Sequence, residues 1–312
     1  MRISLLLILL NRMHEKKIAI IMPARNAGLF IEKCINSILH QSYTNWELVV
    51  VNDHSTDNTL ELLHKFADID RRITVINNTG NGIIDALKMG YSNTISRFIT
   101  RMDADDIMPP NKLELMVNQC GKNTVVTGKI KYISETELGE GYTYYESWLN
   151  SFVETNSYYS EIYKECVIPS PCWMMERQTF DKIGGFNSET YPEDYDLVFR
   201  MYQHNIKVKP IKTLLHIWRD HSARASRNDK NYSDNNFLEL KTNYFLKIDY
   251  DSSQQLVIWG VGKKGKTLAR MLIEKNIDFK WITDNPNRIG KDVYGKRIEN
   301  QTTILETEEQ CQ

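Results

Sequence analysis

Between Lys17 and Met102 short, continuously apolar runs alternate with longer stretches whose apolar residues recur at helical spacing. Ile18 to Met22 is the first run, closed by Pro23, and Leu29 to Gln41 follows with Ile31, Cys34, Ile35, Ile38 and Leu39 on one helical face. The pattern then repeats. Leu48 to Val51 reads as a strand, Asp57 to Phe66 as a helix entered from Ser55-Thr56, and Ile73 to Ile76 as a strand. Ile83 to Tyr91 reads as a helix opened by Gly82, and Phe98 to Met102 as a fourth strand. The first two strands are largely continuous in hydrophobicity rather than alternating, which predicts burial on both faces, as in a parallel sheet with helices above and below. The expected fold is therefore α/β, with a mostly parallel central sheet flanked by helices. Ligands of such sheets bind beyond the carboxyl ends of the strands. Pro23, Arg25 and Asn26, then Asn52 and Asp53, then Asp103 to Asp106 all fall on that edge.

The last group has its own chemistry. Asp103-Ala104-Asp105-Asp106 sets three carboxylates just past a strand that reads as buried. Oxygen ligands of this kind suit Mg²⁺ or Mn²⁺, ions commonly held between one or two carboxylates and the phosphates of a substrate. An equally simple reading has Asp105 or Asp106 capping the helix after Pro109-Pro110, because carboxylates stabilise helix N-termini.

At 312 residues the chain is long for one domain, and two are expected. Its 39 basic and 40 acidic residues nearly cancel, so overall charge points to neither nucleic acid nor an acidic membrane surface as main partner. A local patch stays open. Cys34, Cys120, Cys166, Cys172 and Cys311 are odd in number, scattered and without a C-x-x-C pair, which fits a reducing compartment, the cytoplasm, better than a disulfide framework or a zinc site. Ile3 to Leu10 is apolar, but it is shorter than the roughly 20 residues a bilayer span takes, and the charged residues after it lack a signal-peptidase pattern. Two readings remain: a peripheral hydrophobic tail, or an upstream extension with the natural start at Met13, which is favoured.

Met22-Pro23-Ala24-Arg25-Asn26, the run Val49 to Thr59, and Arg101-Met102-Asp103-Ala104-Asp105-Asp106 resemble the nucleotide-binding half of family 2 glycosyltransferases. Ile183-Gly184-Gly185-Phe186 and Pro192-Glu193-Asp194-Tyr195-Asp196-Leu197 resemble that family's acceptor-side motif, and the likeness runs from about Lys17 to Arg227. It implies a GT-A fold and inverting transfer of a hexosyl or N-acetylhexosaminyl group from a nucleotide donor, usually a UDP-sugar, with Mg²⁺ or Mn²⁺. Asp105 is then the main metal ligand, Asp103 contacts the metal or the donor ribose, and Asp106 supports the loop or caps the next helix. Asp194, with Glu193 beside it ahead of the helix-like run Tyr195 to Gln203, is the implied general base. The plainer reading is an acidic first turn with Asp196 and Arg200 as an i,i+4 pair.

For the donor, the resemblance implies contacts from Pro23, Arg25 and Asn26 to base, ribose or phosphates. Asn52-Asp53 departs from the two acidic residues common in the family; an Asn carbonyl still accepts a hydrogen bond from a uracil N–H, so UDP remains the expected carrier. Arg219 and His221 lie in Leu215 to Arg224, where related enzymes place a loop over the diphosphate. The aromatic-rich segment Tyr142 to Tyr163 is the expected acceptor region, against a packing stripe or a membrane-interface surface. The acceptor implied is a glycan or lipid-linked hydroxyl in surface polysaccharide synthesis, in the cytoplasm or against the inner face of the cell membrane. A nucleotidyltransferase would want a glycine- and basic-rich loop near the first strand, which Pro23 to Gly28 is not. A sugar-nucleotide binding protein without transferase activity stays open on the residues alone.

Asp229 to Asp251 reads as a polar linker with a helix at Phe237 to Phe245. Leu256 to Trp259 then reads as a strand, Gly260-Val261-Gly262-Lys263-Lys264-Gly265 as a turn, Thr267 to Glu274 as a helix, and Phe279 to Thr283 as a strand ending at Asp284. This is the context of a dinucleotide-binding fingerprint. Only about 60 residues are left for it, whereas a whole Rossmann domain needs two mononucleotide halves. The glycines therefore either hold a nucleotide or only let strand and helix pack closely. The expected organisation is an extension or tail at 1–16, a glycosyltransferase domain at 17–228, a linker at 229–251 and a partial Rossmann-like segment at 252–312.

Overall fold

The computed structural model describes residues 16–187, 189–222, 224, 237–305 and 311–312, so the apolar run near the N-terminus lies outside the described residues. The chain divides after Arg224 into two compact units. The first begins with β1 (Ile18–Ala24), α1 (Ile31–Leu39), β2 (Trp46–Asn52), α2 (Thr59–Ile69), β3 (Ile73–Asn77), α3 (Ile83–Ser92) and β4 (Phe98–Arg101). It continues through α4 (Lys112–Gln119), β5 (Thr124–Ser134), α5 (Glu140–Thr155), β6 (Trp173–Glu176), α6 (Arg177–Lys182), α7 (Glu193–Gln203) and β7 (Lys207–Asp220). Among the described residues its strands form one seven-stranded sheet in the order β3-β2-β1-β4-β6-β5-β7. All pairs are parallel except those of β6, which runs antiparallel to both neighbours.

Both faces of the first strands are covered. Ile18, Ile20, Met22, Leu48 and Val50 pack with Ile31, Cys34, Ile35 and Ile38 of α1 in one core. Val49 and Val51 point the other way, against Ala86 of α3. This is why the runs are continuous: a strand with helices on both sides has no solvent face to mark with polar residues. Gly90 lets α3 lie close to the sheet, since a Cβ there would stand 2.6 Å from the Ile21 side chain. Each fully buried isoleucine of α1 contributes roughly 1.5–3 kcal/mol to this packing.

One boundary differs in a way that matters. Leu215 to Asp220, expected in a loop, are the last residues of β7, paired with β5 from Ile130↔His216 to Ser134↔Asp220. Ile217 also exchanges two backbone hydrogen bonds with Ile107. The loop was expected from the resemblance to related enzymes; His216, Arg219 and Asp220 are instead buried, with His216 and Arg219 bonded to the carboxylate loop, and the strand continues through them.

The second unit contains α8 (Leu238–Ile248), β8 (Val257–Trp259), α9 (Lys263–Glu274), β9 (Lys280–Thr283), β10 (Asp292–Val293), β11 (Lys296–Asn300) and α10 (Thr302–Leu305). Its described strands order as β10-β11-β9-β8, with β8, β9 and β11 parallel. Leu256, Ile258, Ala269, Leu272, Phe279, Trp281 and Ile298 form its core, and Phe245 and Leu246 of α8 pack on it, so the helix expected in a linker belongs to this unit's packing. Gly260 takes φ +104°, and a Cβ on Gly265 would stand 2.1 Å from the Gly260 carbonyl oxygen. Two of the three motif glycines are thus required by the turn and by the approach of α9 to it.

Candidate active site

The turn after β1 is built as one piece with the turn after β2. The Asn26 N–H donates to Ser55 Oγ at 3.0 Å, Ala27 N–H to Thr59 Oγ1 at 2.8 Å and Gly28 N–H to Asp57 Oδ2 at 3.0 Å. Asn26 Oδ1 in turn accepts the Thr56 N–H at 2.8 Å. Asn26, expected to meet the donor, therefore spends its carbonyl oxygen on joining the two turns. A positive φ of 49° at Asn26 is tolerated because asparagine visits this region more readily than other side chains.

Asn52 and Asp53 lie where expected, but their roles separate. Asn52 Nδ2 donates to Asn77 Oδ1 at 2.9 Å and its Oδ1 accepts the Ser55 N–H at 3.3 Å, so both ends of the amide have protein partners. Asp53 Oδ1 accepts from Asn78 Nδ2 at 2.7 Å and from Gly82 N–H at 3.1 Å, while Oδ2 lies 3.7 Å from Arg25 Nη1. Asp53 is buried, and Arg25 is exposed. Of the two, Asp53 keeps a carboxylate oxygen next to an exposed cation and away from backbone partners. Asn78 and Gly80 continue into an open cavity of about 520 Å³ along α3, lined also by Phe186 and Asn187.

The carboxylate loop after β4 is tied to both the start of α7 and β7. Arg101, 5 % exposed at the end of β4, donates from Nε to Asp103 Oδ1 at 2.8 Å and from Nη1 to Glu193 Oε1 at 2.7 Å. One guanidinium fork thus fixes the distance between the carboxylate loop and the start of α7, a task a single ammonium does poorly. Glu193 and Asp194 form the first turn of α7 together with Asp196. Burial, then the Glu193 carboxylate, push the Asp194 acid up to about 7, against the pull of Arg101. A carboxylate with this affinity for protons is suited to take one from a hydroxyl near neutral pH. Asp196 does pair with Arg200, at 2.8 Å, and Arg200 also holds the carbonyls of Ile183 and Gly185, so the pair orders the Gly184-Gly185 turn.

Asp105 Oδ2 lies 2.9 Å from His221 Nε2, and the Arg219 Nε donates to the Asp105 carbonyl at 2.9 Å. The His221 ring packs tilted against Phe30, just before α1, with centroids 4.4 Å apart. Asp106 is 1 % exposed and caps no helix, which corrects the capping role expected of it, while its contacts are those of a residue that supports the loop. It accepts the Arg219 N–H and faces His216, so it joins the loop to β7. Arg219 likewise braces the loop from behind.

Mg²⁺ and Mn²⁺ commonly use only one or two protein carboxylates and complete their shell with phosphate and water. Asp103 and Asp105, 22 % and 26 % exposed, fit that donor set. No group of three His, Cys, Asp or Glu positioned to hold a metal occurs among the described residues.

The aromatic segment is mostly packing. Tyr145 and Trp148 stack at 5.6 Å, Trp148 meets Phe152 at 4.9 Å, and Tyr145 reaches Trp218. Tyr144 is the exposed ring of α5. Arg101, Lys112 and His216 were not singled out from the sequence. An arginine at the end of an otherwise apolar strand was a usable signal for the first. Lys112 looks like any surface helical lysine.

These elements define a GT-A type transferase fold with its polar crevice at the carboxyl edge of the parallel strands. Residues 19–184 match the family described as Glycosyl transferase family 2, and the chain belongs to that family. It is a glycosyltransferase. An uncharacterized glycosyltransferase of Haemophilus influenzae is 29 % identical over 280 residues, covering 82 % of this chain and 84 % of that one. The Escherichia coli UDP-Glc:alpha-D-GlcNAc-diphosphoundecaprenol beta-1,3-glucosyltransferase WfgD is 38 % identical over 114 residues, 36 % of this chain and 44 % of WfgD. In fold, the crystal structure of S. aureus TarS 1-349 in complex with UDP-GlcNAc superimposes with a TM-score of 0.57 at 18 % identity, covering 82 % of this chain and 71 % of that one. Among the described residues no helix is long and apolar enough to cross a membrane.

Proposed function

We propose that the chain transfers a sugar, with inversion, from a UDP-sugar to a hydroxyl of a glycan or lipid-linked acceptor in surface polysaccharide synthesis, in the cytoplasm or at the inner face of the membrane. The observation that carries the reading is the Arg101 fork, which joins Asp103 of the donor motif to Glu193 beside Asp194 in one crevice. Asp194 takes the proton of the acceptor hydroxyl, the freed oxygen attacks the anomeric carbon from the face opposite the nucleotide, and the bond from that carbon to the diphosphate breaks to release UDP. Asp105 and Asp103 would hold a divalent cation, which when bound supplies positive charge for the departing diphosphate. His221, which lies against Asp105, and Arg25, 3.7 Å from Asp53, would contact the donor, and Asp53 would offer the acceptor oxygen for a uracil N–H. The UDP carrier is supported by Asp53 and by TarS 1-349, whose structure is in complex with UDP-GlcNAc. A lipid-linked acceptor is supported by the acceptor in the name of WfgD.

The test is transfer from a panel of UDP-sugars into a lipid-linked oligosaccharide extract, with proton NMR of the product's anomeric centre, on the parent and on Asp194→Asn. An inverted anomer made only by the parent, with donor binding kept in the variant, is expected. A retained anomer, or equal activity in Asp194→Asn, overturns the proposal.

A further inference from the structure

Behind the carboxylate loop lies a chain of buried polar side chains that the transfer step does not use. Lys112, the first residue of α4, and His216 of β7 are 0 % exposed, and Asp106 is 1 % exposed. Lys112 Nζ donates to the Pro171 carbonyl at 2.7 Å and lies 3.2 Å from His216 Nδ1; His216 Nε2 lies 2.8 Å from Asp106 Oδ2. Asp106 Oδ1 accepts the Arg219 backbone N–H at 2.8 Å. An ammonium has donors only, so His216 Nδ1 accepts, and the ring's one proton sits on Nε2 and goes to Asp106. Burial, and then the Lys112 cation, hold the imidazole well below its usual range, in keeping with this neutral form. Donation therefore runs from Lys112 through His216 to Asp106, whose other oxygen accepts the Arg219 N–H, so both sides converge on this one carboxylate.

Well-packed apolar residues commonly replace such a buried ionic trio without loss of stability, so packing alone does not account for it. Its end point does. Asp106 and the Ile107–Ile217 bridge attach the end of β7 to the loop that carries Asp105, and two residues past Arg219 His221 Nε2 stands 2.9 Å from Asp105 Oδ2. We propose that Lys112, His216 and Asp106 are positioning residues: the chain sets the end of β7 so that His221 is held against Asp105. Its consequence for catalysis rests on Asp105 and His221 being donor-side groups, as proposed above.

The experiment is a ring-nitrogen NMR spectrum of the full chain labelled with ¹⁵N-histidine, recorded for the parent, Asp106→Asn and His216→Gln, with Mn²⁺-dependent UDP binding measured alongside. The parent should show His216 protonated on Nε2. Asp106→Asn leaves one acceptor oxygen for two donors, the His216 Nε2–H and the Arg219 N–H, so its amide NH2 meets one of them, and it should move the His221 signals as well as those of His216, with a loss of tenfold or more in the Mn²⁺-dependent part of UDP affinity. His216→Gln keeps a donor where Nε2 was and should leave His221 near its parental position. If Asp106→Asn does not fold, His216→Phe, which lacks the donor, takes its place in the comparison. Unmoved His221 signals in the donor-disrupting variant overturn the positioning role whether or not UDP binds. A parent that binds no UDP, with His221 moved, overturns the donor reading while the positioning role stands.

Discussion

Arg101→Met removes the guanidinium that faces two carboxylates at once. On the Glu193 side both partners are nearly dry, 6 % and 9 % exposed, and breaking such a pair by deleting one member costs about 3–5 kcal/mol, because the other charge stays buried without compensation. On the Asp103 side the carboxylate is 22 % exposed, and water takes over much of the lost attraction, so that contact adds at most about 1 kcal/mol. For a unit of this size a destabilisation of about 3–5 kcal/mol lowers the melting temperature by about 6–20 °C. Urea denaturation followed by tryptophan fluorescence, whose change in this unit reports on Trp46, Trp148, Trp173 and Trp218, measures it. Adding Glu193→Gln removes the stranded charge and should restore most of the loss, since coupled neighbours are not additive. A single variant within 1 kcal/mol of the parent, or a double variant no better than the single, refutes the argument that the fork carries a buried pair.

The remaining expectations are shorter. Asp194→Asn should lower kcat by about 10²–10⁴ while leaving nucleotide affinity near parental, measured by UDP release and by calorimetry. The parent's rate should rise with pH through about 7 and level off above it, because Asp194 must lose its proton to act. The same raised value makes the folded chain bind more protons than the unfolded one between the ordinary carboxylate range and about 7, so this group's contribution to stability falls as pH rises across that window. Denaturation midpoints of the parent and Asp194→Asn, compared at both ends of the window, check the sign. Ile35→Ala, at a fully buried position of α1, should cost about 2–5 kcal/mol in urea denaturation without altering nucleotide affinity per folded molecule.

Much of the first unit was legible because β1 and β2 are buried on both faces and α1 on one, two patterns that hydrophobic periodicity separates. The three polar groups at the strand ends could be read off as a crevice for the same reason. What stayed hidden was which atoms were already spent. Asn26 and Asn52 look like ligand groups in a one-dimensional reading, yet their carbonyl oxygens accept Thr56 and Ser55 N–H groups brought near by chain reversal. Leu215 to Asp220 were expected in a loop by resemblance to related enzymes; the buried His216 and the Arg219 backbone are met by Asp106, 110 residues from His216, which no local window contains. Arg101 and Lys112 were missed on the same ground, since the groups that make a buried cation tolerable come from elements far along the chain.

The central claim, that the crevice takes a UDP-sugar with a divalent cation at Asp105, is tested most directly by thermal unfolding of the parent and Asp105→Ala against a panel of nucleotide sugars, with and without Mn²⁺. A donor at a hundredfold excess over its Kd should stabilise the parent by about 2.7 kcal/mol. That gain is expected for a UDP-sugar, larger with Mn²⁺ than without, and stripped of its Mn²⁺-dependent part in Asp105→Ala. A parent whose melting temperature no nucleotide sugar raises in a metal-dependent way, or an Asp105→Ala variant that responds to Mn²⁺ as the parent does, contradicts the claim.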